Sequence, residues 1–262
     1  MNWLRLFPDD DYRFQIGLRP GNPAPFFASA PDPKTLSLRR HLLTEAPHAY
    51  LLESPHPAVP ESLALLSSLL SRALPTLTDA ATACEPDFVI LTPGPNTLPH
   101  VTAGVVCFPS SWSLREKTGL PVSAVHAPVP GLNETMGHRI DTFLARLTPG
   151  TAWERENWGL AADDTLDHHP RHAQILPPLT SFATLQTTWL RLERQIFIPL
   201  PSSAIIFGIH VTVHRLDTLA AIAGVASRLA RALESMPPGI AAYKGITAAR
   251  LPLAALLRSA AA

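Results

Sequence analysis

Two neighbouring stretches constrain this chain more than any others, because Trp189–Leu200 and Ala204–His214 alternate side-chain character with a period of two. In the first, Leu190, Leu192, Ile196 and Ile198 share one parity, and Arg191, Glu193 and Gln195 share the other. In the second, Ile205, Phe207, Ile209, Val211 and Val213 fall on one face and Gly208, His210, Thr212 and His214 on the other. Successive side chains of a strand point to opposite faces, so both stretches read as strands. The two-residue Ser202-Ser203 link after Pro201 makes them an antiparallel hairpin, though without an Asn-Gly turn.

The remainder arranges itself around that hairpin. Residues 20–60 are dense in proline (among them Pro23, Pro33, Pro47 and Pro60), which removes backbone donors and blocks long helices. This arm is expected to be an extended lead-in that wraps a core, with a short helix near Leu36–Leu43. Leucine spacing over Glu61–Leu74 predicts an amphipathic helix, and a helical pattern returns over Glu134–Leu147 until Pro149-Gly150 stops it. Asp87–Thr92 and Gly104–Phe108 are short, β-branched and bounded by Pro and Gly, so they read as strands, and Arg155–Leu160 reads as extended. Leu216–Met236 predicts one helix, with an Ala/Leu-rich tail from Ile240. The class is α+β: an antiparallel sheet with surrounding helices and a Pro-rich N-terminal arm over residues 1–60, joined to residues 61–262 as one unit.

Several functions are disfavoured on composition. Lysine plus arginine equals aspartate plus glutamate at 21 each, so no global field recruits nucleic acid or an anionic membrane. Cys84 and Cys107 are too few for a disulfide framework, a four-thiolate zinc site or an ordinary iron–sulfur cluster, and read as buried apolar residues. The N-terminus has too short an apolar run for a signal peptide, and no stretch reaches the ~20 apolar residues of a membrane span, so a cytoplasmic protein is expected. There is no Gly-x-Gly-x-x-Gly, no phosphate loop, no Gly-x-Ser-x-Gly elbow and no His-Glu-x-x-His.

The histidines are unequal. His168-His169-Pro170-Arg171-His172 lies among Asp163, Asp164 and Asp167 and reads as a solvated loop. His210 and His214 share a face but stand about 13 Å apart on an extended strand, too far to hold one metal. His126 sits in Pro121-Val-Ser-Ala-Val-His-Ala-Pro-Val-Pro-Gly131, flanked by Val125 and Ala127 and followed by two prolines, so its direction is fixed. That suits a ligand that must not swing; a satisfied core histidine is the plainer alternative. Arg194 falls on the apolar parity of its strand, and a guanidinium aimed at a core needs an anion: Glu193, Glu154 or a carboxylated cofactor.

Three stretches, taken together, resemble the haem-binding alpha subunit of the haem-dependent oxidative N-demethylases, of dimethylamine monooxygenase type. They are Trp112-Ser-Leu-Arg-Glu-Lys-Thr-Gly-Leu-Pro-Val-Ser-Ala-Val-His-Ala-Pro-Val-Pro-Gly131, Arg155-Glu-Asn-Trp158, and Leu190-Arg-Leu-Glu-Arg-Gln195 continuing to Phe207; Phe14-Gln-Ile-Gly-Leu18 also fits. The likeness runs over roughly residues 12–220. It implies a PAS-like core that holds haem b through histidine and oxidises a small amine with O₂. Electrons would come from a separate flavin/iron–sulfur protein. On this resemblance His126 is the iron ligand, Arg194 meets a propionate or adds polarity near dioxygen, Glu193 and His210 deliver protons, and Arg155 and Trp158 line or brace the pocket. Two departures from the family pattern change the charge near the expected pocket: Ile196-Phe197-Ile198-Pro199 replaces the family's basic residues, and Ile209-His210-Val211-Thr212 replaces its usual Ile-Arg-Thr-Tyr. A haem-based sensor without turnover, or a haemless interaction protein, are the other readings.

Overall fold

In a computed structural model, which describes residues 1–94 and 98–261, the hairpin is the middle of a seven-stranded sheet. In chain order the strands are β1 (Arg19–Pro20), β2 (Leu51–Leu52), β3 (Asp87–Pro93), β4 (Pro99–Val105), β5 (Trp153–Ala161), β6 (Trp189–Pro199) and β7 (Ile205–Arg215). Across the sheet they run β1-β5-β6-β7-β3-β4-β2, and every pairing is antiparallel. With helices around an open antiparallel sheet, the architecture is α+β.

The β6–β7 register decides how the sheet is covered. Ile196 lies opposite Gly208, Arg194 opposite His210, and Phe197 opposite Phe207. Directly opposed residues share a face, so the apolar set of β6 lies with the polar set of β7, and the reverse. Neither face is wholly polar, and both need cover. The loop has three residues, Pro201-Ser202-Ser203, rather than the expected two: Leu200 donates to Ala204 O at 2.7 Å, and Ser203 takes the left-handed conformation (φ 66°) that such loops require.

One face, carrying Phe88, Ile90, Ile196, Ile198 and Ile206, packs under the helices Pro33–Glu45, Ala58–Leu69 and Leu77–Ala83. On the same face, Leu160, Leu190 and Leu192 pack under Leu216–Ala220, Val225–Ser235 and Arg250–Ala261. Gly208 has no room for a side chain there: a Cβ would stand 2.8 Å from both Ile196 and the ring of Phe27. The opposite face, with Val89, Leu91, Val101, Phe197 and Phe207, is covered by Val122–His126 and Leu132–Ala145.

Three expected elements take another form. The Pro-rich arm is largely helical, because Pro23, Pro33 and Pro47 stand at helix starts, where a missing N–H costs nothing. Its Phe26, Phe27, Leu43 and Tyr50 enter the core. The strand expected at Gly104–Phe108 is instead Pro99–Val105. It ends there because Cys107 N and Phe108 N donate to the Asp87 carboxylate, at 2.8 and 2.9 Å, instead of to a neighbouring strand. The helix expected over Leu216–Met236 is two, Leu216–Ala220 and Val225–Ser235, separated at Gly224 with φ 78°. No helix among the described residues is long and apolar enough to cross a membrane.

Candidate functional site

Between the second sheet face and the Val122–His126 and Leu132–Ala145 helices lies a cavity of about 630 Å³. Val89, Leu91, Val125, Ile140 and Phe207 give it apolar walls. The N-terminal stretch Arg5–Leu18 and the Tyr243-Lys244 pair close one side. Its size, and walls that set an apolar stretch beside many polar and charged side chains, are compatible with a small-molecule or prosthetic-group site.

His126 is the last residue of the Val122–His126 helix and lines this cavity. Pro121 starts that helix and bridges to His100 of β4, while Asn133 Nδ2 ties the helix to the next one by donating to Ser123 O at 2.8 Å. The short helix that carries His126 is therefore anchored on two sides. Its Nδ1 is buried and makes no hydrogen bond. Burial, with Arg155 nearby, lowers its pKa below the ordinary histidine value, which favours the neutral ring that donates a lone pair.

Arg155, Asn157, Glu193 and Gln195 line the same cavity from adjacent strands, Arg155 opposite Gln195 and Asn157 opposite Glu193. Glu193 is buried and fully engaged: Oε1 accepts from Ser110 Oγ at 2.7 Å, and Oε2 accepts from Asn157 Nδ2 at 3.2 Å and Gln195 Nε2 at 2.9 Å. Arg155 is not, since its Nε is buried without a partner and burial lowers its pKa despite Glu193 and Glu156. Lys244 also reaches the cavity, donating to Trp158 O at 2.6 Å with its ammonium 5.4 Å from the indole centre. Desolvation pulls its pKa down to about 8. Trp158 lines the wall and is braced edge-on by Phe7 at 5.4 Å.

His126, Arg155 and Glu193 are thus brought together on one side of the sheet; Trp158, opposite Leu192, belongs to the other face and meets the cavity at the β5 edge, and Arg194 and His210 do not line it. The latter two face each other across β6 and β7 on the opposite side of the sheet. Arg194 pairs with Glu154 at 3.4 Å and lies over Phe26, with a third of its side chain exposed. His210 Nε2 meets Glu85 at 2.9 Å. Parity places Arg194 among apolar residues correctly, but the layer over it is thin enough to leave a third of it in solvent. The His168–His172 stretch is structural: Asp167 accepts from Tyr50 at 2.5 Å and contacts His172 at 3.0 Å. Lys244 was missed, and no local pattern marks it. Asn157 and Gln195 sit inside stretches already singled out and were legible from strand parity.

Fold and site together define an α+β protein with a partly open cavity that presents one histidine, the under-partnered Arg155 and the desolvated Lys244. The chain belongs to the family described as haem-dependent oxidative N-demethylase, alpha subunit-like, which it matches over residues 38–253. That span includes His126, Arg155, Trp158, Glu193 and Lys244, and leaves out the N-terminal stretch that closes the cavity.

Proposed function

We propose that the chain is a haem-dependent oxygenase subunit that oxidises a small amine with O₂ and electrons from a separate flavin or iron–sulfur protein. The observation that carries the reading is the buried His126 Nδ1 without a hydrogen-bond partner on an apolar cavity wall. A buried polar atom left unpaired costs stability unless a ligand satisfies the ring. The residues fit haem b in the PAS-like manner that the resemblance implies: His126 would hold the iron, Arg155 and Lys244 would meet the propionates, and the aliphatic and aromatic walls would face the porphyrin.

Haem supplies the activation of dioxygen and the oxidising power; the protein supplies ligand, pocket and protons. His126, kept neutral by its surroundings, offers an imidazole lone pair from a fixed backbone. Arg155 gains from an anion because its desolvated charge is only partly answered by Glu193. Glu193 is pinned by three donors, so its carboxylate keeps one orientation and a proton at Oε1 can exchange with Ser110 Oγ. Phe7, Tyr12 and Phe14 from the N-terminal stretch limit water entry at the side they close.

The test is an optical spectrum of protein expressed with added haem, followed by turnover with a chemical reductant, O₂ and secondary amines. A haem-type Soret band near one equivalent per chain and aldehyde release are expected. A colourless protein sinks the reading, and a coloured one that never turns over amines supports a sensor.

A further inference from the structure

We propose that the open groove on the outer side of the Leu132–Ala145 helix is the docking surface for an acidic electron-donor protein, an inference that rests on the haem reading above. The groove has a volume of about 420 Å³ and is lined by His138, Arg139, Thr142, Phe143, Arg146, Leu147 and Trp153. His138, Arg139 and Arg146 are exposed, and Phe143 and Trp153 are half-buried. No aspartate or glutamate lines it, and among the described residues neither Arg139 nor Arg146 makes a salt bridge.

An aromatic floor with arginines on its rim is the composition that protein interfaces favour, since aromatic rings and Arg bury area and recognise carboxylates at low entropic cost. The chain is neutral as a whole. A local cationic patch is therefore what would steer an acidic partner to this face rather than to another.

The position of the groove gives the patch its role. Phe143 forms part of the groove and also part of the cavity wall. Its ring meets Trp153 at 6.3 Å on the groove side and Phe197 at 5.4 Å on the cavity side, and Phe197 stacks on Phe207 at 4.8 Å. A donor seated here would be separated from the cavity contents by a single layer of packed aromatic side chains. Each encounter would pass one electron from the donor's reduced centre, which is thereby oxidised by one electron, to ferric haem held in the cavity, with no bond made or broken.

The experiment uses the haem-loaded chain and two acidic probes, a plant-type [2Fe–2S] ferredoxin and a flavodoxin, with binding measured by calorimetry at low and high salt. Binding of at least one probe is expected to weaken as salt rises. Arg139→Glu/Arg146→Glu should weaken it by about tenfold or more, with haem content and far-UV dichroism unchanged. Arg40→Glu/Arg72→Glu, exposed cations away from this groove, should leave it as it was. Binding of neither probe, or binding that the groove reversal leaves intact, overturns the proposal. A chain that takes up no haem yet binds ferredoxin through the groove refutes the haem reading and keeps the surface. A haem-loaded chain whose ferredoxin binding ignores the groove does the opposite.

Discussion

Arg39 and Asp87 form an ion pair at 2.6 Å with both side chains sealed from solvent. The guanidinium also donates to Ala81 O at 2.7 Å and Glu85 O at 2.9 Å, while the carboxylate accepts from Cys107 N and Phe108 N. One contact therefore ties the Pro33–Glu45 helix to the end of β3 and to the chain leaving β4. Arg39→Met would strand a buried carboxylate, with an expected loss of about 3–5 kcal/mol. Arg39→Met/Asp87→Asn should recover part of that loss, since the stranded charge is gone. Urea unfolding of the two variants checks both; equal midpoints for them would show that the pair carries no such coupling.

His126→Ala should remove most of the haem while the chain stays folded, because the change deletes a ligand without opening a large cavity in the aliphatic core. Soret absorbance per chain beside the far-UV dichroism measures it. The depressed pKa of His126 sets a pH dependence as well. The ring stays neutral, and able to hold iron, until pH falls below the ordinary histidine value near 6.5. The acid midpoint of haem release should lie below that value, and a midpoint above it would argue against the assignment.

Arg155→Leu should speed haem loss to apo-myoglobin several-fold, because it deletes an under-partnered cation of the cavity. Arg194→Leu should leave the rate as it was, since Arg194 faces the other side of the sheet and already has Glu154. The reverse ranking would place the propionates elsewhere.

Lys244→Met should stabilise the haem-free chain and weaken its hold on haem. The folded-state pKa of about 8 lies under the ordinary 10.5. The cost of keeping that ammonium desolvated is thus fully present below pH 8 and fades as pH rises to 10.5. Partial exposure discounts the gain to about 1 kcal/mol near neutral pH. Thermal unfolding at pH 7 and pH 10 reads it: a gain as large at pH 10 as at pH 7 would remove charge as the cause.

The sequence by itself determined the class of the fold and the two central strands; of the residues that the family resemblance pointed to, His126, Arg155, Trp158 and Glu193 line one cavity and Arg194 and His210 do not. Those features are local: period-two alternation fixes a strand's faces, and a proline-flanked histidine fixes its own direction. What only the tertiary structure decided depends on distant partners. The three-residue loop at Pro201–Ser203 sets a register that turns the apolar sides of β6 and β7 to opposite faces, and so creates the second covered face where the cavity lies. Strand β4 ends at Val105 because Asp87, some twenty positions earlier in the chain, takes the amides of Cys107 and Phe108 just beyond it. Arg194 shares its parity with the core yet keeps a third of its side chain in solvent, while Arg39, in a helix with no such alternation, is fully enclosed. Side-chain periodicity tells which way a residue points; what stands there to meet it is settled by the elements that pack across it.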